Sequence, residues 1–214
     1  HGLALRNDMD GVPVLTQPEV APAATFDYAF TVPDAGTYWF HPHVGAQLDR
    51  GLYAPLIVED PDEPGDYDQE LVVVFDDWLD GTGRDPDQVL ADLLANGMGG
   101  MGGMDMSGMD MGEMAMPRSD LLGGDAGDVV HPYFLANGRT ADAARALDVR
   151  PGQRVRLRLI NASGDTAFRV GVPGTPMTLT HTDGFPVVPT RAEAVLLGMG
   201  ERVDAVVEVP DAVV

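Results

Sequence analysis

The 214-residue sequence contains no cysteine and no lysine. Without cysteine, these residues form no disulfide, thiolate metal site or cysteine nucleophile. All 13 basic residues are arginine, against 34 acidic residues, and the net charge is −21. Because such an acidic chain repels phosphate groups, we do not expect nucleic acid as a partner. The sequence also has no run of 18 or more apolar residues, so it predicts no membrane-spanning helix.

Short apolar segments separated by Pro, Gly and Asp run through most of the chain, a pattern that predicts an all-β protein of sandwich or Greek-key type. One segment, Arg154–Asn161, alternates apolar and polar residues as a half-buried strand does. Helix signal is limited to Asp85–Ala95, where an acidic cap precedes a proline and an apolar stripe. Examples of these strand-like segments are Thr25–Val32, Gly36–His43, Tyr53–Glu59, Glu70–Phe75, Arg154–Asn161, Ala167–Val172 and Arg202–Val209.

A polar Pro/Gly/Asp-rich run divides the sequence into two β-rich parts. Residues 1–60 are too few for a complete sandwich, and we interpret them as the C-terminal part of a first domain. Residues 61–69 are predicted to be a linker. Residues 70–214 are predicted to be a second domain with a Met/Gly-rich insert at about residues 97–117.

Two histidines in the segment TYWFHPHVG carry the strongest chemical signal. Side chains two residues apart on a strand project from the same face, so His41 and His43 form a pair of imidazoles. Nitrogen ligands of this kind suit copper, zinc, iron or nickel. Pro42 lacks an N–H group, which places the pair at a strand end or edge. The alternative is two partly exposed histidines beside an aromatic cluster.

The segment GTYWFHPH, followed by GLYAPLIV, resembles the second copper motif of multicopper oxidases. His1-Gly2-Leu3 resembles the end of the first motif, about forty residues earlier. The second half is similar to the middle cupredoxin domain of the family. The resemblance implies cupredoxin-like Greek-key β-sandwich domains, within an internal fragment of a three-domain laccase-like or bacterial copper-tolerance oxidase. It rests in the second half on Phe134–Arg139, Val149–Ala162, Thr182–Gly184 and Gly200–Asp204.

The resemblance also implies roles for individual residues. His1 and His41 would bind one of the paired type 3 coppers, and His43 would bind the other. Asp10 matches an acidic position thought to relay protons to reduced oxygen, although an Asp that begins an Asp-Gly turn explains it equally well. His131 and His181 lie outside the copper motifs and are expected to be structural or surface residues.

The implied cofactor is copper, in a trinuclear type 2/type 3 cluster shared with a domain that this sequence lacks. That absent domain would also hold the type 1 copper, so the fragment alone is expected to be inactive. The implied partners are dioxygen and a small reducing substrate, either a phenol or Cu(I). Proteins of this family usually work outside the cytoplasm, which predicts a periplasmic or secreted location.

Eight of the eleven methionines lie in the Gly-rich insert. Thioethers are soft ligands that favour Cu(I), so one interpretation is a Cu(I)-capturing loop. The other is a disordered insert with no role in copper binding. The residues concerned are Met98, Met101, Met104, Met106, Met109, Met111, Met114 and Met116.

Two other functions are compatible with the motifs. A non-catalytic copper-buffering cupredoxin protein would bind copper and consume no oxygen. A two-domain copper reductase would carry a cysteine ligand soon after His43, and no cysteine is present. The sequence therefore favours the oxidase, followed by the copper-buffering protein.

Overall fold

The computed structural model describes residues 1–63, 65–96, 118–124 and 126–211. These residues form ten β-strands, one α-helix and several short 3-10 turns, so the predicted all-β class is confirmed. The elements are β1 Gly36–Phe40, β2 Ala54–Val58, β3 Gln69–Trp78, α1 Pro86–Asn96, β4 Tyr133–Ala136, β5 Arg154–Asn161, β6 Phe168–Val170, β7 Met177–Thr182, β8 Phe185–Ala192, β9 Val195–Leu197 and β10 Arg202–Glu208.

Three sheets organise the described residues. Strands β1 and β2 form an antiparallel pair. A six-stranded sheet has the order β4-β3-β5-β10-β7-β8, in which β3 and β5 are parallel and the other neighbours antiparallel. Strands β6 and β9 pair separately. All predicted site residues outside the Met-rich insert come from the chain that precedes β3.

Most of the predicted elements lie where the sequence placed them. The predicted helix corresponds to α1, where the Asp85 carboxylate accepts a hydrogen bond from the backbone N–H of Asp87 (2.8 Å). The strand predicted at Thr25–Val32 is wrong, because this segment has no regular structure. Among the residues that the structure describes, no strand lies beside it, and a strand exists only when its backbone groups are paired. Strands β4, β7, β8 and β9 were not predicted.

Strand β5 differs from the half-buried strand that its alternating sequence predicts. Its apolar residues pack as expected into a core with Leu197 and Val203. The polar face is buried as well, since Arg156 and Arg158 are each only 3% exposed. These arginines are paired with carboxylates, which buried charges require.

The face of the six-stranded sheet that carries these arginines receives strand β1. Trp39 of β1 is 3% exposed and packs in one cluster with Val74, Ile160 and Ala162. Thr37, two residues earlier on the same face of β1, bonds to Arg158 (2.9 Å). Strand β1 therefore packs against the larger sheet, which fixes the position of the residues that follow Phe40.

No helix among the described residues is long and apolar enough to cross a membrane. The predicted division into residues 1–60, 61–69 and 70–214 stays a prediction. The methionines proposed to bind Cu(I), Met98 to Met116, lie outside the described residues.

Candidate metal centre

The chain leaves strand β1 at the point where the first predicted ligand begins. Strand pairing ends at the Phe40–Ala54 position, and His41 and His43 follow on either side of Pro42. Proline has no N–H to donate and so does not continue the pairing. Both histidines are thereby presented at the end of a strand whose base is buried.

The three predicted histidine ligands meet at this strand end. His1 Nδ1 lies 3.1 Å from His41 Nε2, and the two ring centroids are 5.3 Å apart. The rings of His41 and His43 are 4.7 Å apart. Two nitrogen ligands of one tetrahedral ion, each about 2 Å from the metal, are about 3.3 Å apart. The spacing of the His1 and His41 nitrogens therefore fits two ligands of a single ion.

Trp39 supports both members of that pair. Its ring stacks on His41 at 4.2 Å and on His1 at 5.2 Å between centroids. The backbone nitrogen of His1 donates to the Trp39 carbonyl (2.6 Å). A Cβ added to Gly200 would lie 3.0 Å from the His1 ring, so the turn before β10 closes over it. Both imidazoles thus pack against the buried Trp39 ring, and the Gly200 turn also contacts His1.

The electrostatics of the site favour neutral imidazole, the form that binds metals. Burial lowers the pKa of His41, and His43 lowers it further, while the Pro42 carbonyl acts in the opposite direction. His41 Nδ1 lies 3.2 Å from the Pro42 oxygen, which leaves Nε2 directed at His1. In this orientation the ring donates through one nitrogen and binds through the other.

The cluster accounts for part of a ligand set only. In the described part of the chain, no three His, Asp or Glu side chains are arranged to hold an ion by themselves. His1 and His43 are exposed, so further ligands can approach from outside this group. The nitrogen donors fit a copper ion, provided that other residues complete its coordination.

Asp10 is the residue predicted to relay protons. It is exposed and follows a single 3-10 turn formed by Asn7–Met9. Its role in proton transfer stays a prediction.

The two other histidines have different surroundings. His131 is buried, with Nδ1 3.4 Å from a carboxylate oxygen of Asp77. His181 lies on β7, and its Nδ1 is 3.1 Å from Thr180 Oγ1. These contacts suit the structural roles expected of both residues.

A buried acid close to the Trp39 cluster escaped the sequence analysis. The Tyr53 hydroxyl donates to Asp76 Oδ2 (2.6 Å), and Tyr53 packs against the cluster that contains Trp39. Asp76 is 1% exposed, and burial raises its pKa to about 7. Asp77 raises this pKa further and the Tyr53 bond lowers it. The alternation of β3 gave no hint, because Asp76 and Asp77 are both buried.

This raised pKa predicts a specific dependence of stability on pH. Between the ordinary value of 3.8 and about 7, folded Asp76 holds a proton that the unfolded chain has lost. The free energy of unfolding therefore falls as pH rises through this interval. In Asp76→Asn, we expect denaturant unfolding at several pH values between 4 and 8 to show a shallower fall.

Tyr53→Phe provides the matched comparison, because it removes the hydrogen bond that favours ionised Asp76. The pKa of Asp76 should then rise, and the fall in stability should extend to higher pH. Identical pH profiles for the wild-type protein and both variants would contradict the assignment of this proton to Asp76.

Comparison with known proteins agrees with the fold and the motifs. Two family profiles, each described as multicopper oxidase, match residues 1–63 and 70–213. The chain is 51% identical over 97% of its length to Multicopper oxidase MmcO of Mycobacterium tuberculosis, and spans 40% of that protein. It is 32% identical to a copper resistance protein A homolog of Pseudomonas syringae pv. tomato, over 99% of this chain and 38% of the relative.

The chain is also similar to a solved structure, the multi-copper oxidase from Pseudomonas thermotolerans. The two share 32% identity with a TM-score of 0.73, over 99% of this chain and 44% of the other. The predicted cupredoxin-like Greek-key fold class is thereby confirmed. The chain spans less than half the length of each of these relatives.

Proposed function

Because this chain belongs to the multicopper oxidase family, we propose that the whole protein containing it is a copper-dependent oxidase. It would couple one-electron oxidation of a small reducing substrate to four-electron reduction of dioxygen to water. The observation that carries this proposal is the approach of His1 Nδ1 and His41 Nε2 to 3.1 Å, with the His43 ring beside them.

In this proposal His1 and His41 bind one type 3 copper and His43 binds its neighbour. Bound copper would supply the one-electron chemistry. The protein's contribution is to orient the imidazoles, through Trp39 stacking on His1 and His41 and through the Pro42 carbonyl on His41. Burial favours the neutral form of His41. The remaining cluster ligands and the type 1 copper would come from parts of the whole protein outside this chain.

Asp10 is proposed to relay protons in the same reaction. Reduction of one dioxygen to two waters consumes four protons, and a carboxylate beside the metal centre can transfer them. The exposure of Asp10 gives it access to solvent protons. The match of Asp10 to an acidic position of the family is what supports this role.

Cu(I) and phenols are the two proposed substrate classes. The similarity to a copper resistance protein A homolog and the methionines between Met98 and Met116 favour Cu(I). A periplasmic or secreted location is proposed on the resemblance to the family. The alternative function is a non-catalytic copper-buffering protein outside the cytoplasm, which would bind copper through the Met-rich segment and through His41 and His43.

Oxygen uptake by the copper-loaded whole protein tests the proposal. We expect uptake with Cu(I) or a phenol as donor, no uptake after copper is removed by a chelator, and recovery after copper is returned. The donor with the higher kcat/KM identifies the substrate class. Stoichiometric copper binding without uptake from either donor would reject the oxidase in favour of the copper-buffering protein.

A further inference from the structure

The motif Gly200–Asp204, GERVD, lies on the six-stranded sheet, which contributes none of the proposed ligands. Its two charged residues on β10, Arg202 and Asp204, project from the same face of the strand. They are 4% and 1% exposed. A buried charge is costly unless it is paired, so their presence here requires a structural or functional reason.

Both charges bind the same residue of strand β1. Thr37 Oγ1 donates to Asp204 Oδ1 (2.7 Å), and Arg202 Nε donates to the Thr37 carbonyl (3.2 Å). Arg158 Nη1 also donates to Thr37 Oγ1 (2.9 Å). We refer to Thr37, Arg158, Arg202 and Asp204 as the Thr37 junction. It holds one residue of β1 through both its side chain and its backbone.

The same guanidinium also fixes the surroundings of His1. Arg202 Nη1 donates to the Gly200 carbonyl (3.0 Å). Gly200 is the residue that packs against the His1 ring. A Cβ on Gly2 would overlap the guanidinium, so the chain next to His1 lies directly on it. One side chain therefore contacts both segments that carry the proposed ligands, His1-Gly2 and β1.

The backbone beside the junction is packed too closely to shift independently. A Cβ on Gly36 would collide with the carbonyl oxygen of Gly184, and a Cβ on Gly184 would lie 2.7 Å from the Tyr38 ring. Gly36 has φ of +149° and Gly184 has φ of +94°, which other residues rarely adopt. Both contacts join β1 to the turn between β7 and β8.

Geometry connects the junction to the metal centre along β1. Thr37, Trp39 and His41 share one face at intervals of two residues. Trp39 stacks on His41 and His1. Tyr38, which lies between Thr37 and Trp39, has its ring centre 5.9 Å from the Arg202 guanidinium. Between Thr37 and the imidazole pair the chain runs through buried Tyr38 and Trp39, so a displacement at Thr37 would reach the pair through these packed side chains.

We propose that Arg202 and Asp204 are positioning residues for the copper centre, which act by holding Thr37 and thereby fixing the spacing of His1 and His41. This inference rests on the proposed binding of copper by those histidines. It assigns a role to a motif that binds no metal, in a sheet that supplies no ligand.

Thr37→Val in the whole protein is the decisive variant. It removes the hydroxyl but keeps the β-branched shape and the carbonyl that accepts from Arg202. Asp204 retains its bonds to Arg156 (2.6 Å) and Arg158 (3.2 Å), so the variant is expected to fold. Loss of a group bonded directly to a metal ligand weakens metal binding about 10-fold or more, and Thr37 acts on the ligands only through Trp39, so the expected loss is smaller, about threefold to 10-fold. We expect such a loss of copper affinity in chelator competition, and near-wild-type affinity in Thr37→Ser.

Hydrogen exchange of residues 36–43 in the copper-free protein gives an independent readout. We expect faster exchange in Thr37→Val and Arg202→Lys than in the wild-type protein and Thr37→Ser. Ser163→Ala is the matched control, because it removes a buried hydroxyl that bonds only within the larger sheet and its loops, to Asn161 and Thr166. It should alter neither copper affinity nor exchange at residues 36–43.

The possible outcomes separate the two proposals. Unchanged exchange and unchanged copper affinity in Thr37→Val would overturn the positioning role. Equal losses in Thr37→Val and Ser163→Ala would also overturn it, because the effect would then be general destabilisation. A wild-type protein that binds no copper would reject the proposed function, whereas the exchange of residues 36–43 would still report on the junction.

Discussion

Replacement of His41 by Ala is expected to reduce copper-dependent oxygen uptake at least about 100-fold. Changes to outer partners of metal ligands already cost about 10- to 100-fold, and removal of a ligand should cost more. His41 is the central ring of the cluster, in contact with His1, Trp39 and His43. Its loss therefore removes one nitrogen and also the packing that aligns the other two imidazoles. Oxygen uptake and the copper-to-protein ratio should fall together.

His181→Ala is the control for that experiment, since it removes an imidazole elsewhere in the fold. His181 is half-buried on β7, with Nδ1 3.1 Å from Thr180 Oγ1 and 4.0 Å from Asp204 Oδ2. Without His181, Asp204 keeps its closer contacts with Arg156 and Arg158. We expect its copper content and oxygen uptake to stay within about twofold of wild type. If His41→Ala retained full copper content and full uptake, the assignment of the cluster as the copper site would be wrong.

The sequence alone predicted that His41 and His43 lie together at a strand end. It did not predict the packing that brings His1 to them. A strand period of two places His41 and His43 together, and Pro42 marks the strand end. The proximity of His1 followed only from the family resemblance, because nothing local in His1-Gly2-Leu3 predicts a contact 40 residues away. Long-range pairing of this kind depends on how the sheets pack.

The alternating sequence of β5 shows why its buried arginines were not predicted. RVRLRLIN predicts one apolar face and one solvated face, and the apolar face is indeed in the core. The arginine face is buried because β1 covers it and Asp204 neutralises it. Hydrophobic pattern alone cannot distinguish a charge in water from a charge paired in the interior.

Packing also explains why one strand was predicted wrongly and others were missed. Thr25–Val32 has strand-like composition but no paired neighbour, whereas β4 and β8 pair along the edges of the six-stranded sheet despite exposed residues. Strand propensity describes how well a segment fits a sheet that other segments create. The fold brings the motif histidines together, whereas the propensities misplaced one strand and missed four.

The largest loss of stability is expected from Asp204→Asn. The Asp204 carboxylate is 1% exposed and lies 2.6 Å from Arg156 and 3.2 Å from Arg158. Removing its charge leaves each buried guanidinium with one partly exposed carboxylate, Glu63 for Arg156 and Glu70 for Arg158. Breaking a buried ion pair by removing one partner typically costs about 3–5 kcal/mol. We expect a decrease of that size in the free energy of unfolding of the copper-free whole protein, measured in denaturant.

Asp183→Asn is the matched comparison, because Asp183 pairs with Arg202 at 3.1 Å but is 54% exposed. Because the Asp183 carboxylate stays in water, its pair with buried Arg202 is expected to contribute about 1 kcal/mol, less than a fully buried pair. Asparagine tolerates the φ of +51° at this position. Each substitution removes one carboxylate charge, so a difference in the free energy of unfolding between the two variants reports the effect of burial. Similar losses in both variants would mean that the Asp204 network is solvated, and that β1 is held mainly by the packing of Trp39 and Tyr38.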